Sequence, residues 1–166
     1  MPYDPKFMQR ALALSATSLD TPGTQPFAAV VVRHGEIVGE GLNHALARLD
    51  PTAHGEIEAL RDACRRLGRL DLGDCELYTS CEPCALCVAA LQMAGIRHLY
   101  YAAGLRACTA LFEPLAATRW RNLDTDDLRV QSGLPGGARR LPDSQHEADA
   151  ALRIIAVWVD ARVAVP

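Results

Sequence analysis

The stretch CELYTSCEPCALCVAALQMAGIRHLYYAA, residues 75–103, reads as a strand, a helix and a second strand in succession. Cys75 to Ser80 is a short run suited to a buried strand. Pro83 fits the first turn of a helix, where its missing N–H is no loss, and the apolar positions continue to about Ala94 before Gly95 stops them. Ile96 to Ala103 predicts the next strand.

Working upstream, Thr52 is placed to cap a helix running to about Leu67, which Gly68 ends. Pro26 to Arg33 is a nearly continuous apolar run, His34-Gly35 makes a turn, and Glu36 to Asn43 returns, so a two-stranded antiparallel hairpin is expected. Residues 45–51 form a loop. Residues 4–19 carry Phe7, Met8, Leu12, Leu14 and Leu19 among polar positions, ahead of Pro22 and Gly23, which predicts a first helix. This alternating order is satisfied by a sheet covered on both faces by helices. Downstream, residues 104–117 are expected to be helical, 118–145 irregular around Pro135, Gly136, Gly137 and Pro142, and 146–160 a last helix.

A chain of 166 residues suffices for one core and is short for two, so a single domain over 1–166 is expected, with its core in about 4–117. The 49% hydrophobic and 22% charged shares are those of an ordinary globular protein and argue against disorder. A formal charge of −3 and a pI near 5.9 give no general attraction for a polyanion, so nucleic acid is an unfavoured partner. No stretch approaches the roughly 20 apolar residues of a membrane span, and no basic-then-apolar export signal is present, so a cytoplasmic protein without membrane attachment is expected. In that setting six cysteines are reduced thiols or metal ligands rather than disulfides, and their clustering favours metal.

Cys81-Glu82-Pro83-Cys84-Ala85-Leu86-Cys87 contains two overlapping Cys-x-x-Cys spacings, of which one need bind. Positions three apart on a helix share a face, so Cys84 and Cys87 can aim two thiolates at one ion. Alone, such a pair fits a redox couple or packed thiols equally well. Pro51-Thr52-Ala53-His54-Gly55-Glu56 supplies the second element, an imidazole and a carboxylate at the start of another helix. Three protein ligands leave a tetrahedral zinc with its fourth position open to water, the arrangement of a catalytic site. Glu56 is then placed to move protons. Cys81 stays open between packing and a ligand register shifted by three; Cys64, Cys75 and Cys108 read as small packed residues. Glu58 reads as a solvated first-turn acid, and Arg61, Arg65, Arg66 and Arg69 as a solvated basic face with Asp62 available to Arg66.

His-x-Glu followed by Pro-Cys-x-x-Cys resembles the signature of the cytidine deaminase superfamily. The wider stretches DPTAHGEIEAL and YTSCEPCALCVAAL look most like its bacterial guanine deaminase branch, over about Phe7 to Tyr101. The resemblance implies a three-layer α/β/α sandwich with a mixed central sheet of about five strands, and one zinc held by His54, Cys84 and Cys87. It implies hydrolytic deamination of a small heterocyclic amine, guanine or a related aminopurine, pterin or aminotriazine, with Glu56 as proton carrier. By the same resemblance Phe27, Ala29 and Asn43 line the base pocket, His54 and the backbone near Ser80 face the substrate, and the C-terminal segment around Trp158 closes over it, within a homodimer. Guanine deaminases carry consecutive acids after a Phe where this chain has Glu113-Pro114, so either Glu113 substitutes as a second catalytic acid or the substrate differs. Gly55 stands where Ala is usual, which loosens the helix start or admits a bulkier ring. A tRNA adenosine deaminase and a cytosine or cytidine deaminase are the alternatives within the superfamily; a structural zinc module is the alternative outside catalysis.

Overall fold

Alternation along one strand generates the layers of the computed structural model, which describes residues 2–118 and 124–163. In β1 (Gln25–Arg33), Ala29 and Val31 face one side of the sheet and Val30 and Val32 the other, all fully buried, as the two-residue period of a strand requires. Ala29 and Val31 pack with Ala59, Leu60 and Ala63 of α3 (Gly55–Leu67) and with Leu91 of α4 (Ala85–Met93). Val30 and Val32 pack with Phe7, Met8 and Ala11 of α1 (Pro5–Ala16). The sheet is therefore the middle layer of an α/β/α sandwich.

Four strands make that sheet among the described residues, in the order β2 (Glu36–Asn43), β1, β3 (Cys75–Cys81), β4 (His98–Ala103). β1 runs antiparallel to both β2 and β3, while β3 and β4 are parallel and joined through α4, since parallel neighbours need a crossover. The sheet is mixed, as expected. His34 and Gly35 both have positive φ, 51° and 83°, so the hairpin closes on the two-residue turn whose twist matches its strands.

α3 lies directly on the sheet because glycines stand beneath it. A Cβ at Gly39 would come within 2.5 Å of the Ala59 carbonyl oxygen, and one at Gly41 would overlap the Gly55 carbonyl and the Ala59 amide. At the helix start, a Cβ on Gly55 would meet the Phe27 carbonyl oxygen at 2.6 Å. Gly55 therefore does not loosen the helix start; it permits a tight approach to β1.

Several element boundaries differ from expectation. Thr52 does not cap α3: its hydroxyl and amide both donate to Asp50 Oδ1, at 2.7 and 2.8 Å, and His54 takes the N-cap position. α4 begins at Ala85 with Cys84 as N-cap, so Pro83 lies just outside it. The loop after β2 contains a short helix, α2 (Ala45–Arg48), and residues beyond β4 form α5 (Leu105–Phe112) followed by a 3-10 segment, Glu113–Thr118. The stretch expected to be irregular holds α6 (Thr125–Ser132), and the last helix is α7 (Ala148–Val163). Two compact units result, Met1–Thr125 with the whole sheet and Asp126–Pro166 with α7. Among the described residues no helix is long and apolar enough to cross a membrane.

Gly41→Ala is expected to destabilise the fold by about 2 kcal/mol or more, because its methyl group must displace helix backbone. Gly35→Ala, with nothing within 4 Å of its Cβ, is expected to cost only the strain of its positive φ, about 1 kcal/mol. Urea unfolding of both variants checks the difference.

Candidate metal centre

The starts of α3 and α4 converge on one point. His54 and Cys84 are the two N-cap residues, both in extended backbone conformation, with ψ of 156° and 173°. Neither side chain makes a capping hydrogen bond, so each projects forward with its donor atom uncommitted to the helix. Cys87 follows in the first turn of α4 and is fully buried. His54 Nδ1 lies 3.6 Å from Cys84 Sγ and 3.5 Å from Cys87 Sγ, and the two sulfurs are 3.7 Å apart. Zinc–sulfur bonds of about 2.3 Å and a zinc–nitrogen bond of about 2.0 Å at tetrahedral angles require edges of about 3.8 and 3.5 Å. The triangle fits one zinc with a fourth vertex left over. No other group of described residues gathers three such donors.

The ionisation of the ligands suits a cation. The Cys84 thiol is held down to about 4, chiefly by a hydrogen bond from Cys87, with His54 assisting against burial. That same bond and burial push Cys87 up, and the hydrogen bond with Cys84 raises His54. Cys84 is thus the thiolate of the set, and a metal bound here displaces the proton kept by Cys87.

Glu56, two residues beyond His54, is only 6% exposed. Burial raises its proton affinity above the usual carboxylate range, the charge of Cys84 adds to this, and His54 and a hydrogen bond from Cys87 offset part of it. A carboxyl with raised affinity beside a zinc position is equipped to take up and return a proton.

Glu58 overturns its expected role. Rather than a solvated acid, it is buried and bridges two arginines: one oxygen meets Arg48 Nη1 from α2, the other accepts from Arg61 Nη1 at 2.7 Å. Arg61 reaches on to Asp50 at 3.5 Å and the Thr52 hydroxyl at 3.4 Å, and the His44 amide donates to the Ala53 carbonyl at 2.9 Å. The segment between Asn43 and His54 is thereby pinned to α3. The spacing of Glu58 and Arg61 carried half of this signal; the Arg48 half depends on tertiary packing. Of the remaining arginines, Arg66 does pair with Asp62, at 2.8 Å, while Arg69 pairs with Asp74.

The other candidates are distributed unevenly. Asn43 is 3% exposed, and its Oδ1 accepts from the Ala45 amide at 3.0 Å, so it also shapes the strand end. Phe27 stacks on Phe112 of α5, ring centroids 5.3 Å apart, a partner no local pattern announces. Ala29 lies in the hydrophobic core facing α3 and α4. Ser80 Oγ accepts from the Ala28 amide at 3.0 Å, joining β1 to the end of β3. Glu113 is exposed at the start of the 3-10 segment. Trp158 is 57% exposed on α7, with the Arg162 guanidinium 3.6 Å from its ring centroid. Cys81 faces Cys108 at 2.8 Å, outside the donor triangle, so the donors that lie together are those of the register through Cys84 and Cys87.

A sandwich that presents His, Cys and Cys at two helix starts, with a buried Glu beside them, defines a zinc site of the catalytic type. Residues 1–103 match the cytidine and deoxycytidylate deaminase zinc-binding region, and the chain belongs to that family, with one zinc per chain. It is 44% identical to a guanine deaminase of Bacillus subtilis over 97 residues, 58% of this chain and 62% of that one. It is 41% identical to a tRNA-specific adenosine deaminase of Aquifex aeolicus over 81 residues, 49% of this chain and 54% of the other. The chain thus matches less than two thirds of the length of these curated relatives. Among solved structures, guanine deaminase from Bacillus subtilis superposes with a TM-score of 0.82 at 32% identity, covering 95% of this chain and 94% of that chain. A complex with 2,6-diaminopurine gives 0.60 at 34% identity, over 63% of this chain and 59% of the other.

Purified protein is expected to carry about one zinc per chain, and Cys84→Ser or Cys87→Ser to lose it, while Cys81→Ser keeps it. Elemental analysis after gel filtration distinguishes these. Glu58→Ala is expected to keep its zinc in buffer but to surrender it at least about tenfold faster to a chelator, as for other groups that orient a ligand; Glu58→Gln should recover part of the loss.

Proposed function

We propose that this protein is a hydrolytic deaminase that replaces an exocyclic amine of a small nitrogen heterocycle by oxygen and releases ammonia, with guanine or a related aminopurine as substrate. The observation that carries the reading is the three-donor triangle with buried Glu56 next to it. When bound, zinc lowers the proton affinity of water beside it and supplies the electrophilic side of the chemistry. Glu56 takes a proton from the attacking water and delivers it to a ring nitrogen, then takes the remaining proton of the added hydroxyl and passes it to the departing amine, a sequence suited to a carboxyl of raised proton affinity. Asn43, whose amide offers a donor as well as an acceptor, orients the ring, and Phe27 with Phe112 forms an aromatic wall against it.

Guanine is favoured by the similarity to the Bacillus guanine deaminase along nearly the full chain. A tRNA substrate is the second reading, supported by identity to tRNA-specific adenosine deaminases; the net charge of −3 weighs against it. Glu113 is proposed as the second acid, close to the ring in the closed enzyme. The whole chain is proposed to act as one deaminase domain within a cytoplasmic homodimer, its last helix a lid. Ile154, Ile155, Val157 and Trp158 of α7 are all more than half exposed, and an apolar helix face of this size calls for a cover.

Glu56→Gln is expected to retain zinc and lose about a hundredfold or more of turnover. Truncation before Ile154 is expected to keep zinc, depress turnover and reduce the mass in solution from dimer to monomer. Ammonia release from guanine, 2,6-diaminopurine, a pterin, an aminotriazine, cytosine and a tRNA anticodon stem-loop, alongside light scattering, tests the set. Exclusive activity on the stem-loop would overturn the small-substrate reading.

A further inference from the structure

Cys81 ends β3 and Cys108 sits in the middle of α5, with 2.8 Å between their Sγ atoms. A disulfide bond measures about 2.05 Å, so the sulfurs need to approach by less than about 1 Å to bond. Cys81 is buried and Cys108 half-buried, which makes Cys108 the sulfur a solute meets first. α5 itself has no buried residue. Its fastenings include the Leu105 amide donating to Glu82 Oε2 at 2.9 Å, the Cys81–Cys108 contact, and Phe112 stacked on Phe27. Glu82 and Cys81 both belong to the segment that leads into the ligand Cys84.

We propose that Cys81 and Cys108 are an oxidisable dithiol, a covalent modification site for low-molecular-weight disulfides, whose closure fastens α5 to the strand end that carries the metal loop. The Cys108 thiolate attacks one sulfur of the small disulfide, breaking its S–S bond and expelling one thiolate. Cys81 Sγ then attacks Cys108 Sγ in the mixed disulfide and expels the second. The protein thiols give up two electrons and two protons; the small disulfide is reduced to two thiols. Because α5 carries Phe112 against Phe27, closure holds one wall of the proposed ring pocket. That consequence rests on the pocket reading given above, whereas the bond itself does not.

Zinc-loaded full-length protein treated with oxidised glutathione is expected to lose about 2 Da, mapped by peptide mass spectrometry to a Cys81–Cys108 link with zinc retained. Its thermal midpoint should rise by about 5 °C, and turnover of the accepted heterocycle should fall by about threefold or more, both reversed by dithiothreitol. Cys108→Ser should form no link and keep its turnover under the same treatment. A stable glutathione adduct on Cys108, a link confined to Cys84 and Cys87, or the same loss in Cys108→Ser would overturn the dithiol. A linked enzyme with full turnover would overturn its hold on the pocket wall. If no heterocycle is deaminated, the proposed function fails, and the mass measurement still decides the dithiol.

Discussion

Both halves of the metal centre are hung from two residues of one strand, Phe27 and Ala28. On one side, Gly55 brings the start of α3 against their backbone so closely that a methyl group would not fit. On the other, the Ala28 amide is hydrogen-bonded to Ser80 near the end of β3, a short distance before the Cys84 and Cys87 helix. Gly39 and Gly41 extend the first contact along β2. Close-packed backbone has little room to yield. The separation of His54 from the two thiols is therefore a property of main-chain packing, and no long flexible side chain intervenes to blur it.

On this rigid frame the charges are arranged to suit a cation. Two helix N-termini face the same point, and their partial positive ends favour thiolate and carboxylate groups before any metal is considered. Burial acts in the opposite sense on Glu56, so a single small region holds a thiolate of lowered proton affinity and a carboxyl of raised affinity. Such a divergence separates the group that binds metal from the group that carries protons. Glu58, one helical turn past His54, serves neither role. Its charge is consumed by Arg48 and Arg61, which close the preceding segment onto the helix.

What the sequence made legible follows range. The hairpin, the sandwich and the three clustered donors were readable because each rests on short spacings: alternation in β1, a two-residue turn, and donors at the N-cap or in the first turn of their helices. Thr52 misled as a cap because Asp50, two residues earlier, competes for both its hydroxyl and its amide. Glu58 read as solvated because its burial depends on Arg48, ten residues away on a separate short helix. Cys81 could not be resolved for the same reason, its partner lying 27 residues on. Gly55 read as a looser helix start or as room for a bulkier ring because the Phe27 carbonyl that a Cβ there would meet lies 28 residues earlier in the chain.

The family match ends at residue 103, just before the helix that carries Phe112 begins at Leu105. Everything needed to build the zinc triangle lies on the near side of that point, while Phe112, Cys108 and Glu113 lie beyond it. Because α5 contributes no buried side chain to the core, exchanging it costs the scaffold little. The donor triangle and the glycine contacts that set its spacing therefore belong to a different stretch of chain from α5.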